Sequence, residues 1–147
     1  MKDLIELFES HQVKYTLVDG FAVNYYGYVR TTQDIDLLIY PSLENAEKNH
    51  GLPKKIGFGQ ADIPRKYFEV AGSAIHLGVE PNRINILTHL IGISNDQIFN
   101  NIKKVKIDNI FINIISLNNL LNAKRKSKRL KDLADTEKLS KNHNQTE

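Results

Sequence analysis

Asp34 and Asp36 stand one residue apart in the run Asp34-Ile35-Asp36-Leu37-Leu38-Ile39. Side chains at i and i+2 of a strand leave on the same face. A strand here therefore sets two carboxylates side by side and turns Ile35 and Leu37 toward a core. Adjacent carboxylates repel unless a cation lies between them, and hard oxygen donors suit Mg2+ or Mn2+ better than zinc. Such a pair holds metal ions that clamp a triphosphate during in-line displacement. The non-catalytic use of the same residues is a polar strand start with Asp34 as a turn acceptor. Upstream, Tyr15-Thr16-Leu17-Val18 stops at Asp19-Gly20, and helical spacing begins at Phe21. Gly20 would let a phosphate approach the backbone, and the N–H groups of the helix start would form an anion site for the phosphates that the metal neutralises.

The elements that must position these residues follow from the apolar pattern. Leu4, Ile5 and Phe8 predict a short amphipathic helix ending near His11-Gln12. The strand at Tyr15 leads to a helix over 21–28, and Arg30-Thr31-Thr32-Gln33 connects it to the acidic strand, which Pro41 closes. Ser42 to Asn49 has the composition of a polar surface helix, while residues 51–73, with Gly51, Pro53, Gly57, Gly59 and Pro64, carry no assignment. Strands over 74–79 and 83–87 flank a turn at Glu80-Pro81-Asn82, and Ser94 caps a short helix. Lys103 to Ile107 and Ile110 to Ile114 form a hairpin across Asp108-Asn109. Ser116 caps a helix through about Lys126, and a last helix covers about 130–139. The expected architecture is one α+β domain over residues 1–139, a small mixed sheet with helices over one face, followed by a frayed tail over 140–147.

The 147 residues contain no cysteine, which removes thiol catalysis, disulfides and cysteine-ligated metal sites and points to a cytoplasmic chain. Met1-Lys2-Asp3-Leu4-Ile5-Glu6 lacks the apolar stretch of a signal peptide. No segment approaches the roughly 18 apolar residues of a membrane span, so no membrane partner is expected. Net charge is +3, and the octet Lys124-Arg125-Lys126-Ser127-Lys128-Arg129-Leu130-Lys131 holds six bases and no acid, leaving −3 on the rest. That patch suggests a polyanionic partner such as nucleic acid or nucleoside triphosphate, a solvated helix face being the alternative. His11, His50, His76, His89 and His143 show no metal-ligand spacing, and neither a nucleophile elbow nor a Walker or dinucleotide glycine pattern is present.

Gly20, Ala22, Gly27, Arg30, Thr32, Asp34 and Asp36 occur in the order and spacing in which the sequence resembles the nucleotidyltransferase superfamily, in particular small stand-alone members of the toxin–antitoxin and abortive-infection type. Lys124 and the segment Arg129-Leu130-Lys131-Asp132-Leu133-Ala134-Asp135 extend the resemblance over nearly the whole chain. It implies a nucleotidyltransferase-like fold and Mg2+-dependent (or Mn2+-dependent) transfer of a nucleoside monophosphate to a hydroxyl of an RNA or protein acceptor. Asp34 and Asp36 would be metal ligands and catalytic residues. Asp19, Gly20, Arg30, Thr32, Lys124 and Lys131 would surround the nucleotide, and a toxin or antitoxin partner is implied.

Two positions depart from the family pattern. Asp19 replaces the first glycine of a pair, and a like-charge contact with phosphate at ~4 Å and an effective dielectric of ~20 costs on the order of 4 kcal/mol unless screened. Asp19 could instead cap the helix. Asn85 stands at the third carboxylate, which in relatives is a base or metal ligand; a carboxamide cannot take a proton from a hydroxyl. Glu69 and Glu80 are the nearby acids that could substitute. These departures support an alternative, a catalytically degenerate member acting as a nucleotide-binding or protein-interaction (antitoxin-type) module.

Overall fold

The computed structural model describes residues 2–27, 34–49, 52, 64–78, 83–107, 109–127 and 134–140. Its strands arise where the sequence is most apolar. Every residue of β1 (Tyr15–Val18) is buried, as are Leu37, Leu38 and Ile39 of β2 (Ile35–Ile39). These two strands pair antiparallel at the centre of a six-stranded mixed sheet. On one side β2 runs parallel to β4 (Ile84–Leu87), which pairs antiparallel with the edge strand β3 (Ala74–Leu77). On the other side β1 runs parallel to β6 (Ile110–Ile114), hydrogen-bonded to the edge strand β5 (Lys103–Ile107). The spatial order is β3-β4-β2-β1-β6-β5, an α+β arrangement as expected. The β5–β6 hairpin has its expected bounds, and Asn109 takes the left-handed conformation (φ +67°) that asparagine tolerates at tight turns.

The helices that flank the sheet include α1 (Lys2–Ser10), α2 (Asp19–Tyr25), α3 (Leu43–Asn49), α4 (Lys66–Glu69), α5 (Asn95–Phe99), α6 (Leu117–Ser127) and α7 over 134–140. Leu4, Ile5 and Phe8 of α1 are all in the core. The helix ends in a Schellman motif: Val13 N–H reaches Phe8 O, Gln12 N–H reaches Glu9 O, and Gln12 holds φ +56°. Ser94 caps α5 by accepting from Gln97 N–H, and Ser116 caps α6 through Asn119 N–H. Tyr26 donates to the carbonyl of Ile115 at 2.6 Å, joining the end of α2 to the start of α6. Burial pushes that phenol up to about 12, so it remains a donor at neutral pH.

Helix α4 falls within the stretch that carried no assignment, and α7 extends to residue 140, where the tail was expected to begin. Residues 141–147 lie outside the described residues. Among the described residues no helix is long and apolar enough to cross a membrane.

Helix α3, read as a polar surface helix, has a buried anchor. Asn45 is 2% exposed and binds three backbone groups, accepting from Lys14 N–H at 2.7 Å and donating to Lys14 O at 3.0 Å and Tyr40 O at 2.9 Å. Lys14 precedes β1 and Tyr40 follows β2, so one carboxamide clamps the end of the central strand pair away from the acidic residues. Asn45→Ala removes this partner from Lys14 N–H and Tyr40 O, while Lys14 O keeps Tyr40 N–H at 3.1 Å, at a cost of about 2–4 kcal/mol, or about 6–12 °C in melting temperature for a chain of this size. Asn45→Asp fares no better, because its carboxylate faces two carbonyls. Thermal denaturation reads both, and an Asn45→Ala variant melting within about 1 °C of wild type contradicts the clamp.

Candidate functional site

The parallel register of β2 and β4 places Asp36 opposite Asn85, and the antiparallel register of β3 and β4 places His76 opposite Asn85. Directly opposed residues share a face, so Asp36, Asn85 and His76 form a row across three strands. Asp34, one residue before β2, joins the row from the strand end. Asn85 Nδ2 donates to Asp36 Oδ1 at 2.9 Å and approaches Asp34 Oδ2 at 3.4 Å, while Arg83 Nη2 donates to Asp34 Oδ2 at 2.8 Å. Asn85 Oδ1 lies in hydrogen-bond contact with His76 Nδ1.

A cleft of about 460 Å³ opens along this row, within the size range of small-molecule sites. Asp19, Asp36, His76, Asn85 and Lys124 give it polar groups, and Leu87, Leu90, Ile91 and Leu120 give it an apolar wall. The cleft thus gathers Asp36, residue 85, Asp19 and Lys124, and Asp34 lies beside it in contact with Asn85 and Arg83. Arg30, Thr32 and Lys131 lie outside the described residues, as does Glu80. Glu69 pairs with Arg65 at 2.8 Å on α4. Nearby on α2, Tyr26 is buried against Ile115 and Tyr25 is exposed.

Three expectations change in detail. Asp19 does not cap α2: it is the first residue of that helix, at φ +56°, and no side-chain cap forms at Val18. Its carboxylate instead meets Lys124 Nζ at 2.8 Å, so the negative charge feared at a phosphate position faces a cation. Lys124 is not part of a solvated basic face. It is 4% exposed and also binds Asp135 Oδ2 at 2.9 Å, with Asp135 only 1% exposed. These buried pairs join α2, α6 and α7 behind the cleft. Gly20, expected to open the backbone to phosphate, is buried in the first turn of α2.

Further along the octet, Lys126 Nζ donates to Gly92 O at 2.9 Å. Gly92 holds φ +81°, and a Cβ there would lie 2.4 Å from Lys126 Cδ. Only glycine serves where the lysine stem crosses this turn next to Leu90 and Ile91.

His76, His89, Arg83 and Asp135 were not singled out as site residues. Their signal is positional: alternation from Asn85 selects Arg83 and Leu87 as its same-face neighbours, and pairing of β3 with β4 brings His76 or Leu77 opposite Asn85 according to a register the structure supplies.

Two carboxylates held by an arginine and a carboxamide, with no group of three or more acids or histidines able to form a metal cage among the described residues, do not make a self-sufficient metal site. They fit Mg2+, which binds through one or two carboxylates and takes its remaining ligands from water and substrate phosphate. Asn85 directs its N–H groups at the acids and its oxygen at His76, so it offers that cation no ligand. No protein-family model matches the chain, and no curated protein matches it.

Asn85→Asp tests this arrangement without nucleotide. It replaces a donor 2.9 Å from Asp36 with a third carboxylate, so the metal-free variant melts below wild type. Added Mn2+ restores stability by binding only the folded state, by about 2.7 kcal/mol at a hundredfold excess over Kd. Thermal shift with Mn2+ reads a larger rise for the variant than for wild type. Equal rises contradict the position of residue 85 facing the acidic pair.

Proposed function

We propose that the protein is a Mg2+-dependent nucleotidyltransferase that moves a nucleoside monophosphate from a nucleoside triphosphate to a hydroxyl on RNA or protein. The observation that carries this reading is the meeting of Asp36 and residue 85, from adjacent parallel strands, at one cleft with Lys124, with Asp34 beside them at 3.4 Å from Asn85 Nδ2. It agrees with the resemblance of the acidic strand and the late lysine to that superfamily, whose fold we propose for the six-stranded sheet.

Asp34 and Asp36 would hold the metal, which when bound neutralises the triphosphate and polarises the α-phosphoryl group toward attack. Arg83 and Asn85 orient the two carboxylates before substrate arrives, which removes part of the ordering cost of binding. The wall of Leu87, Leu90, Ile91 and Leu120 offers apolar contact for a nucleobase. Lys124 places an ammonium donor at a fixed point on the cleft, because Asp19 and Asp135 anchor it. Arg30, Thr32 and Lys131, with Gly20, complete the nucleotide site in the resemblance.

A second reading rests on one specific contact. The group opposite Asp36 is a carboxamide that cannot accept a proton, which favours a degenerate protein that binds nucleotide or a toxin-type partner without transfer.

One assay separates the two readings. Wild type incubated with Mg2+ or Mn2+ and the four α-phosphate-labelled nucleoside triphosphates transfers label to total RNA or to protein, and Asp34→Asn combined with Asp36→Asn abolishes transfer. An unchanged rate in the double variant overturns the assignment of the acids, and nucleotide binding with no transfer by wild type selects the degenerate reading.

A further inference from the structure

The chemistry leaves a gap at Asn85, since in-line attack by a hydroxyl gains from a base that takes its proton. The side chain next in the row fills it. Asp34 and Asp36 carry acceptor-only carboxylates, so the Asn85 carboxamide must turn Nδ2 toward them, as its 2.9 Å contact with Asp36 Oδ1 shows. Its oxygen then faces His76, and an oxygen acceptor requires the imidazole to present a proton on Nδ1. In the neutral ring this leaves the lone pair on Nε2. His76 lies on the cleft and is exposed on the edge strand β3, so no repacking is needed for an acceptor hydroxyl to reach it.

We propose that His76 is the general base of the transfer reaction, with Asn85 as the positioning residue that fixes its tautomer. This rests on the nucleotidyltransferase reading above and deepens it. In the step, Nε2 takes the proton of the acceptor hydroxyl while its oxygen bonds to the α-phosphorus. The bond from that phosphorus to the bridging oxygen breaks, pyrophosphate departs with its electron pair, and the imidazolium returns its proton to solvent. The chain thus moves the base one strand outward from the acidic pair. Asp34 and Asp36 then share their face with a donor, and the proton acceptor stands on the far side of it.

The groups around the imidazole define what else could act. Asp36, Asp19, Lys124 and His89 share the cleft, and Arg83 stands immediately before β4, two residues from Asn85. His89, two residues beyond the end of β4, has no such orienting contact among the described hydrogen bonds.

The test uses full-length protein in the labelled-triphosphate assay. His76→Ala lowers kcat by about a hundredfold, within the range of general base catalysis, with KM for the triphosphate within about twofold. Added imidazole restores part of the lost rate. In Asn85→Asp, where a carboxylate can take the proton, the same His76→Ala change costs less than about threefold, a non-additivity expected only if the two groups share one role. Independently of activity, 15N chemical shifts of the His76 ring report protonated Nδ1 and unprotonated Nε2. Transfer by His76→Ala at the wild-type rate, or a ring protonated on Nε2 alone, overturns the role of His76 and leaves the transferase reading standing. Absence of transfer by wild type overturns both.

Discussion

Two carboxylates one residue apart on a strand cannot sit side by side without a donor between them, and the site depends on the contacts that supply one. Asn85 donates to Asp36 and approaches Asp34 through a single carboxamide nitrogen, and Arg83 donates to Asp34 from just before the same strand. Both contacts exist because β2 and β4 run parallel with Asp36 opposite Asn85. A slip of one residue would carry residues 83 and 85 to the other face and leave the acids opposite apolar side chains. The carboxamide oriented in this way turns its oxygen toward His76, so the contacts across three strands follow from the β2–β4 and β3–β4 registers together.

A second set of charges holds the cleft together from behind. Lys124 is buried between Asp19 and Asp135, and breaking such a pair by removing one partner costs about 3–5 kcal/mol because a charge is left buried. The contact also explains why an aspartate occupies a left-handed position at the start of α2, where backbone strain costs of order 1–3 kcal/mol for most side chains. Aspartate is among the residues that tolerate this region, and its carboxylate gains a partner by adopting it. Lys126 adds a lighter tie, laying its stem over Gly92 and bonding the carbonyl there.

Much of this fold was legible because its signals are local. The β5–β6 hairpin, the serine caps at Ser94 and Ser116, the buried stripe of α1 and the paired acids follow from alternation, spacing and cap chemistry within a few residues. What the sequence left open depends on contacts between distant segments. A three-residue turn at Glu80-Pro81-Asn82 would set Leu77 opposite Asn85, whereas the observed register sets His76 there, and one residue of slip decides whether an imidazole or a leucine faces the site. Lys124 looked like one base in a solvated run because its partners lie 105 and 11 residues away along the chain, and no periodicity encodes a buried triad. Asn45 looked polar and exposed for the same reason, its three bonds being to backbone that only the closed β1–β2 pair brings near.

In the proposed reaction, Asp34 and Asp36 admit a triphosphate to the cleft through a divalent cation. Calorimetric titration with α,β-methylene nucleoside triphosphates, which cannot react at the α-phosphorus, tests it without reference to an acceptor. With Mg2+ present at least one of the four analogues binds, and both chelation of the metal and Asp36→Asn weaken binding by tenfold or more, about 1.4 kcal/mol. Equal affinity with and without Mg2+ would contradict the claim.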